Sequence, residues 1–388
     1  MKALLLNRHA WMNRHVQLTI LAVVACLMAV TGHLSETEAL AIGFVGATVG
    51  STVLTLADWA KRLDPDGKVP TIVELLSQTN DILKDKLYKE GNLPTGERVT
   101  VRTGLPSVAW RLLNQGVAVS KSTTAQVDEQ AGMLEAWSEV DKDLAELNGN
   151  TAAFRLSEAQ AFIEAMNQEM ASTLMYGNSG TAPEEFLGFA PRYSSLSAAN
   201  AQNILSAGGA GADNTSVWLV VWGANTVFGV FPKGSKAGLI HEDMGLVTVE
   251  TSAGVGGNRM RAYQDRWQWK TGLVVKDWRY AVRIANVDVS DLVAKTGTQA
   301  KDAATELIEL MARAIDRIPS MGMGKPVFYA NRTVMSHLRV QALRKSASAV
   351  TFTEALNQFG ERVQTGLNFL GIPVRQVDAL LESEAAVT

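Results

Sequence analysis

A single cysteine, Cys26, stands in 388 residues, so the chain can form no intramolecular disulfide and no thiolate cluster for a metal. Reducing cytoplasm is the compartment this implies. Histidine is also scarce, at five residues. The one acidic grouping around a histidine, His241-Glu242-Asp243, puts three adjacent residues in a loop, where they cannot all face one ion. No Gly-x-Ser-x-Gly elbow and no His-Glu-x-x-His helix occurs. Met321-Gly322-Met323-Gly324-Lys325 lacks the upstream glycine of a phosphate loop, and Pro326 stands where its hydroxyl residue would be. That run and Gly254 through Gly257 read as flexible loops. His337 falls on a helix and reads as structural or surface-exposed. A strong charge of one sign is missing too: 36 Lys and Arg against 39 Asp and Glu leave a net charge of −3, with no global basic surface for tight nonspecific nucleic-acid binding. No catalytic residue, cofactor or metal site is expected, and the chain is expected not to be an enzyme.

What the chain does have is apolar mass. At 47% hydrophobic residues it can bury a large core in two or more structural units. Arg155 to Gly177 is the longest helical pattern: Leu156, Ala159, Ile163, Met166, Met170 and Leu174 recur every three or four residues. Ser157 with Gln160 reads as a capping box, and Gly177 as a left-handed stop.

The first fifty residues differ from the rest. Arg8, His9 and Arg14 precede an apolar run from Leu18 to Val30, and Val23-Val24-Ala25-Cys26 looks like a lipoprotein cleavage box. A lipid-anchored exported protein is one reading; an unusual arm or a mis-assigned start is the other. Helical pieces follow between Leu56 and Leu87, interrupted by the turn Asp64-Pro65-Asp66-Gly67.

From Gly91 to Val140 the pattern is extended: ERVTVRT, SVAWRLL, GVAVSKSTT, then AGMLEAWSEVD. A two-stranded arm of this kind is marginal alone and gains by lying on something else, another subunit included. Its outgoing half is basic, with Arg98, Arg102, Arg111 and Lys121, and its returning half is acidic, with Asp128 and Glu129 leading. These six are the candidate inter-subunit contacts; two solvated faces of an ordinary hairpin would show the same charges.

Strands dominate thereafter. VWLVVW and TVFGVF, around Gly223-Ala224-Asn225, read as a hairpin. VKDWRYAVRIANV reads as one strand with Asp277, Arg279 and Arg283 on its wet side. The tryptophans at 218, 222, 267, 269 and 278 fall at strand spacing and read as core. The last hundred residues read as a separate α/β unit: helix DAATELIELMARAIDRI ended by Pro319, strand PVFYAN, helix RTVMSHLRVQAL, and FLGIPVRQVDALL as a strand with an edge proline.

The strings TVRTGLPSVAWRLLNQG, SKSTTAQVDEQ, SEVDKDLAELNGN, EEFLGFAPRYSSL, KDWRYAVRIANVDVSDL and GIPVRQVDAL together resemble major capsid proteins of tailed bacteriophages, with the Hong Kong 97 type of fold. The resemblance runs from about Ala57 to Val387. It implies an α+β fold: a long spine helix on an elongated antiparallel sheet, an extended β-arm and a C-terminal α/β axial domain. The corresponding division is 1–50 apolar extension, 51–90 N-terminal arm, 91–140 extended loop, 141–290 peripheral domain with spine helix 155–177, and 291–388 axial domain. It further implies a structural subunit of an icosahedral virion capsid, assembled in the host bacterial cytoplasm as hexamers and pentamers around the DNA genome. Portal and scaffold or decoration proteins would be partners, packaged DNA would be touched only nonspecifically, and the mature shell would need no membrane. An encapsulin-like bacterial compartment is the alternative on the same fold.

Overall fold

The computed structural model describes residues 77–388 except 148, 251–258, 294–297, 344–349 and 357–361. The Cys26 box, the apolar extension, the helical pieces between 56 and 76, the Asp64–Gly67 turn and Gly254 through Gly257 lie outside the described residues.

The strands are β1 (Tyr88–Glu90), β2 (Gly96–Gly104), β3 (Thr123–Asp141), β4 (Ile204–Ser206), β5 (Asn214–Trp222), β6 (Val227–Phe231) and β7 (Leu239–Glu250). They continue with β8 (Arg259–Val275), β9 (Ala281–Asp288), β10 (Lys325–Ala330), β11 (Val350–Leu356), β12 (Arg362–Phe369) and β13 (Ile372–Gln376). The longer helices are α1 (Thr151–Tyr176), α2 (Thr298–Arg317) and α3 (Arg332–Leu343). All strands join one mixed sheet, along the path β11-β12-β13-β10-β5-β6-β8-β3-β2, with β1 on β6, β7 on β8, β9 on β5 and β4 on β9.

β5 is the centre of the sheet. Every residue from Asn214 to Trp222 is buried, because β9 and β10 flank it antiparallel and its run NTSVWLVVW offers no wet face. That placement overturns the expected hairpin: β5 meets β6 only at Trp222↔Val227, and in parallel sense. Both edges of β5 are already occupied, so the chain steps across at Gly223–Thr226 and gives β6 to β8 and β1 instead.

α1 starts four residues earlier than its apolar stripe suggests. Asn150 is the N-cap, its Oδ1 accepting from Ala153 N at 3.2 Å, while Ser157 lies inside the helix and donates to the Phe154 carbonyl at 2.8 Å. The expected capping box is therefore absent. The stripe itself divides. Met166, Met170 and Leu174 are buried, but Leu156 and Ile163 are exposed. The first half of α1 is held to the sheet differently: Phe162 stacks on Trp267 at 5.1 Å, and Arg155 bonds Asp265 and Asp243.

Gly177 ends α1, though not by a left-handed turn, since its φ is −51°. A Cβ there would sit 2.5 Å from the Thr173 carbonyl and 2.6 Å from that of Phe186. Close approach of two backbones is the requirement. Gly177→Ala is expected to cost about 1–3 kcal/mol, read as a lower urea midpoint; an unchanged midpoint would show that the Phe186 loop moves aside freely.

Two further expectations are corrected. VKDWRYAVRIANV is two strands, broken by the single turn Trp278–Tyr280 that Asp277 caps through Arg279 N, and Arg283 is buried instead of wet. FLGIPVRQVDALL is a hairpin turning at Leu370-Gly371, whose φ angles are 47° and 84°. β13 lies between β12 and β10, so Pro373 is not on an edge strand; it precedes Val374, the first residue paired to β10, where a missing N–H costs that ladder nothing. Of the glycines before Lys325, Gly324 serves packing: a Cβ there would stand 2.3 Å from the Trp222 carbonyl, whereas one on Gly322 would meet only Ser320 Oγ at 4.0 Å.

One hydrophobic cluster runs through the sheet from Met170 and Leu174 of α1, across β5, to Met311 of α2, Leu338 of α3 and Phe369. Four of the five tryptophans read as core are engaged: Trp218 packs tilted on Phe189 at 5.6 Å, Trp222 donates to Tyr329 OH at 2.7 Å, and Trp269 and Trp278 lie against the cluster. Full burial of one such ring contributes about 1.5–3 kcal/mol. Trp267, also buried, lies between Phe162 and His241 instead.

Candidate functional site

Within residues 91–140, β2 and the first half of β3 pair as a two-stranded antiparallel arm, Gly96–Gly104 against Thr123–Gln130. SVAWRLL and GVAVSKSTT do not form strands; residues 105–122 connect β2 to β3 without regular pairing. Val108, Trp110, Leu113 and Val119 there are each at least 89% exposed. Large apolar side chains exposed to that degree within one connecting segment point to an interaction site.

Its base is anchored by polar groups. Glu129 accepts two 2.6 Å bonds from Arg192, with both side chains largely buried, and Arg192 also donates to the carbonyls of Leu187 and Leu273 at 3.2 Å. Asn92 stands in for a neighbouring strand: its Oδ1 accepts from Arg98 N at 2.8 Å and its Nδ2 donates to the Arg98 carbonyl at 2.9 Å. Arg98 lies opposite Asp128 in register and makes two 2.6 Å bonds to it, which hold the Asp128 carboxyl below the usual carboxylate range. Of the six candidate contact residues, Arg98, Asp128 and Glu129 thus have partners in their own chain. Arg102, Arg111 and Lys121 have no ion-pair partner among the described residues and stand exposed around the apolar tip.

The second half of β3 leaves the arm and pairs with β8, which β7 flanks on its other side. Across these three strands Arg266 reaches Glu135 (3.0 and 2.8 Å) and Glu242 (3.0 Å) and lies over the Trp137 ring. Arg266's bonds, ahead of those from Gln268 and Trp137, hold the Glu135 carboxyl down to about 2. Arg155, Asp265, Asp243 and His241 form a second such group, with His241 Nε2 2.9 Å from Asp265 and its ring stacked on Trp267. His241, Glu242 and Asp243 therefore sit on strand β7 and each faces a different partner. No group of three or more His, Cys, Asp or Glu residues suited to a metal ion occurs among the described residues.

Sequence reasoning missed the buried charges. Arg283 donates to Glu384 at 2.8 Å, to Ser216 Oγ at 3.0 Å and to the Tyr193 carbonyl at 2.8 Å; Glu384 also accepts from Tyr176 and Ser216. Asp85 accepts a hydrogen bond from Lys325 (2.7 Å) and forms an ion pair with Arg375 (3.0 Å), tying the residues before β1 to the C-terminal strands. Lys86 is buried with no carboxylate partner among the described residues, its Nζ donating to Thr271 Oγ1 at 3.0 Å and facing the Tyr88 and Phe186 rings; burial pushes its amine down to about 7. The only sequence signal for these is a lone charge within an apolar stretch. The charges brace strands against one another, and Arg375 also lines a cavity with Thr79, Asp81 and Arg339.

A family description, "Major capsid protein GP7", matches residues 64–388. Among solved structures, that of bacteriophage Epsilon15 is 35% identical, with a TM-score of 0.66, covering 88% of this chain and 99% of the other. The capsid of bacteriophage JBD30 is 10% identical, with a TM-score of 0.42, covering 79% and 93%. No curated protein sequence matches. With a family match over residues 64–388 and a 35% identical capsid structure covering 88% of its length, the chain belongs to the major capsid protein GP7 family: it is a non-enzymatic structural subunit of a phage capsid, part of the virion, and assembles with copies of itself into a shell.

Proposed function

We propose that the subunits form hexamers and pentamers of an icosahedral shell around the DNA genome, and that the arm of residues 91–140 reaches a neighbouring subunit. The exposed tip supports this reading: Val108, Trp110, Leu113 and Val119 are each at least 89% exposed, with no cover among the described residues. Residues 141–290 with α1 serve as the peripheral part and 291–388 as the axial part around the symmetry axis. Portal and scaffold or decoration proteins are the further partners. Contact with packaged DNA is nonspecific and weak per subunit, as befits a net charge of −3. No described helix is long and apolar enough to cross a membrane.

Arg102, Arg111 and Lys121 supply the electrostatic part of the contact, at about 0.2–1 kcal/mol each. Changing all three to Glu is expected to leave the thermal unfolding of the unassembled subunit unchanged and to reduce particle yield in electron micrographs. The defect is greatest at low salt and eases as ionic strength rises. A lower melting temperature with assembly falling only in proportion would show that the arm serves its own subunit.

A further inference from the structure

β7 has an open edge. Over twelve residues, Leu239–Glu250, it pairs with β8 on one side and with no other strand among the described residues. Such an edge presents a row of unpaired N–H and C=O groups, which proteins usually blunt with lysine, proline or a short strand. β7 has neither lysine nor proline, and its only irregularity is a register shift at Asp243/Gly245. Its charges are of one sign: Glu242, Asp243 and Glu250, each about half exposed and each with one arginine partner, which leaves carboxylate oxygen for a second donor.

The arm tip has the complementary character. Gly116–Ser122, GVAVSKS, alternates Val117, Val119 and Lys121 with Ala118 and Ser120, a strand pattern, yet it is unpaired and runs directly into β3 at Thr123. Val119 is fully exposed and Lys121 lacks an ion-pair partner among the described residues.

We propose that residues 116–122 of one subunit add as a strand to the open edge of β7 in a second copy of this chain. The inference rests on the shell reading above and gives the arm its acceptor. The sheet register makes it intermolecular. β7 ends at Leu239, opposite Trp269 of β8, and Trp269 in turn lies opposite Leu134 of β3. Thr123 is eleven residues farther along β3, roughly 35 Å at 3.3 Å per residue, in the direction away from β7. The tip and its acceptor thus lie at opposite ends of the same strand assembly. Each copy gives one strand and takes one, a head-to-tail contact that closes into a ring. Lys121 then meets the carboxylates of β7, and Val117 and Val119 gain cover.

Hydrogen exchange on unassembled subunits and on purified particles tests the pairing. In particles, amides of 239–250 and of 116–122 are expected to slow by about tenfold or more together. Zero-length carbodiimide coupling of particles assembled from mixed heavy- and light-isotope chains is expected to join Lys121 to Glu242, Asp243 or Glu250 between copies. Alternate N–H groups face the partner, so of Ala118→Pro and Val119→Pro one is expected to abolish the β7 protection while the unassembled subunit melts as before. Particles whose β7 amides exchange as in the free subunit, or whose Lys121 couples elsewhere, overturn the strand addition and leave the shell reading intact. Failure of the unmodified chain to form any particle overturns both.

Discussion

Glu384→Ala is expected to destabilise the unassembled subunit by about 3–5 kcal/mol, as removal of one partner from a buried ion pair does. Arg283 and Glu384 are each 5% exposed in their side chains, and their bond is 2.8 Å. The substitution strands a guanidinium in the core. It also removes the acceptor for Tyr176 OH at the end of α1 and for Ser216 Oγ on β5. The burial of Tyr176, and then the charge of Glu384, keep that phenol well above its ordinary range, so it stays a donor at any working pH. The segment around Glu384 is a strap: Glu384 N donates to the Asn214 carbonyl at 2.8 Å, and Val387 N and O both bond the Asn286 side chain. Urea unfolding gives the measurement. The double change Arg283→Met with Glu384→Leu is expected to recover most of the loss, since apolar replacement of both partners removes the stranded charge. A single-mutant loss under about 1 kcal/mol would mean that solvent reaches Arg283.

Lys86→Met is expected to stabilise the subunit at pH 7, by a few kcal/mol, and to remove a pH dependence. Burial lowers the Lys86 amine from 10.5 to about 7. Between those values the unfolded chain holds the proton and the folded one does not, so unfolding takes up a proton. Stability therefore rises with pH from about 7 toward 10.5, at about 1.4 kcal/mol per unit, and the penalty is fully present below 7. In the methionine variant this slope vanishes while Thr271 Oγ1 keeps its bond to the Val230 carbonyl. Tyrosine ionisation enters at higher pH, so urea midpoints from pH 7 to 9.5 are the ones to compare. Burial raises Tyr88, beside Lys86, to about 12 and keeps it out of that window. A variant that is less stable at pH 7 and keeps the slope would show that Lys86 is charged in the folded protein.

Local patterns were enough for elements whose character is set by their own residues. α3 spans the stretch RTVMSHLRVQAL that its periodicity marks, β10 contains PVFYA of the PVFYAN stretch, and Leu307, Met311 and Ala314 of α2, with Ile318 just after it, are buried at the positions their spacing indicates. The arm was legible as alternation with basic and acidic halves, and the capsid relationship as whole strings. Charge sign alone could not tell a partner in the same hairpin from one in another copy. Arg98 meets Asp128 because of strand register, and Glu129 meets Arg192 across sixty-odd positions that no window spans.

By itself, then, the sequence determined the longer helices, the character of many strands and the family. Only the tertiary structure decided which strands are neighbours and which charges are buried. β5 was placed between β9 and β10, and not against the adjacent TVFGVF, because pairing maximises burial over the whole chain and a strand buried on both faces has no wet face to dictate its partner. Arg283, read as solvated from alternation, is buried because a carboxylate a hundred residues away comes to meet it. Leu156 and Ile163, read as core, are exposed because the sheet meets the first half of α1 through Arg155 and Phe162. Periodicity reports that a face is apolar. What covers that face is a property of the assembled fold, since it depends on contacts between residues far apart in sequence.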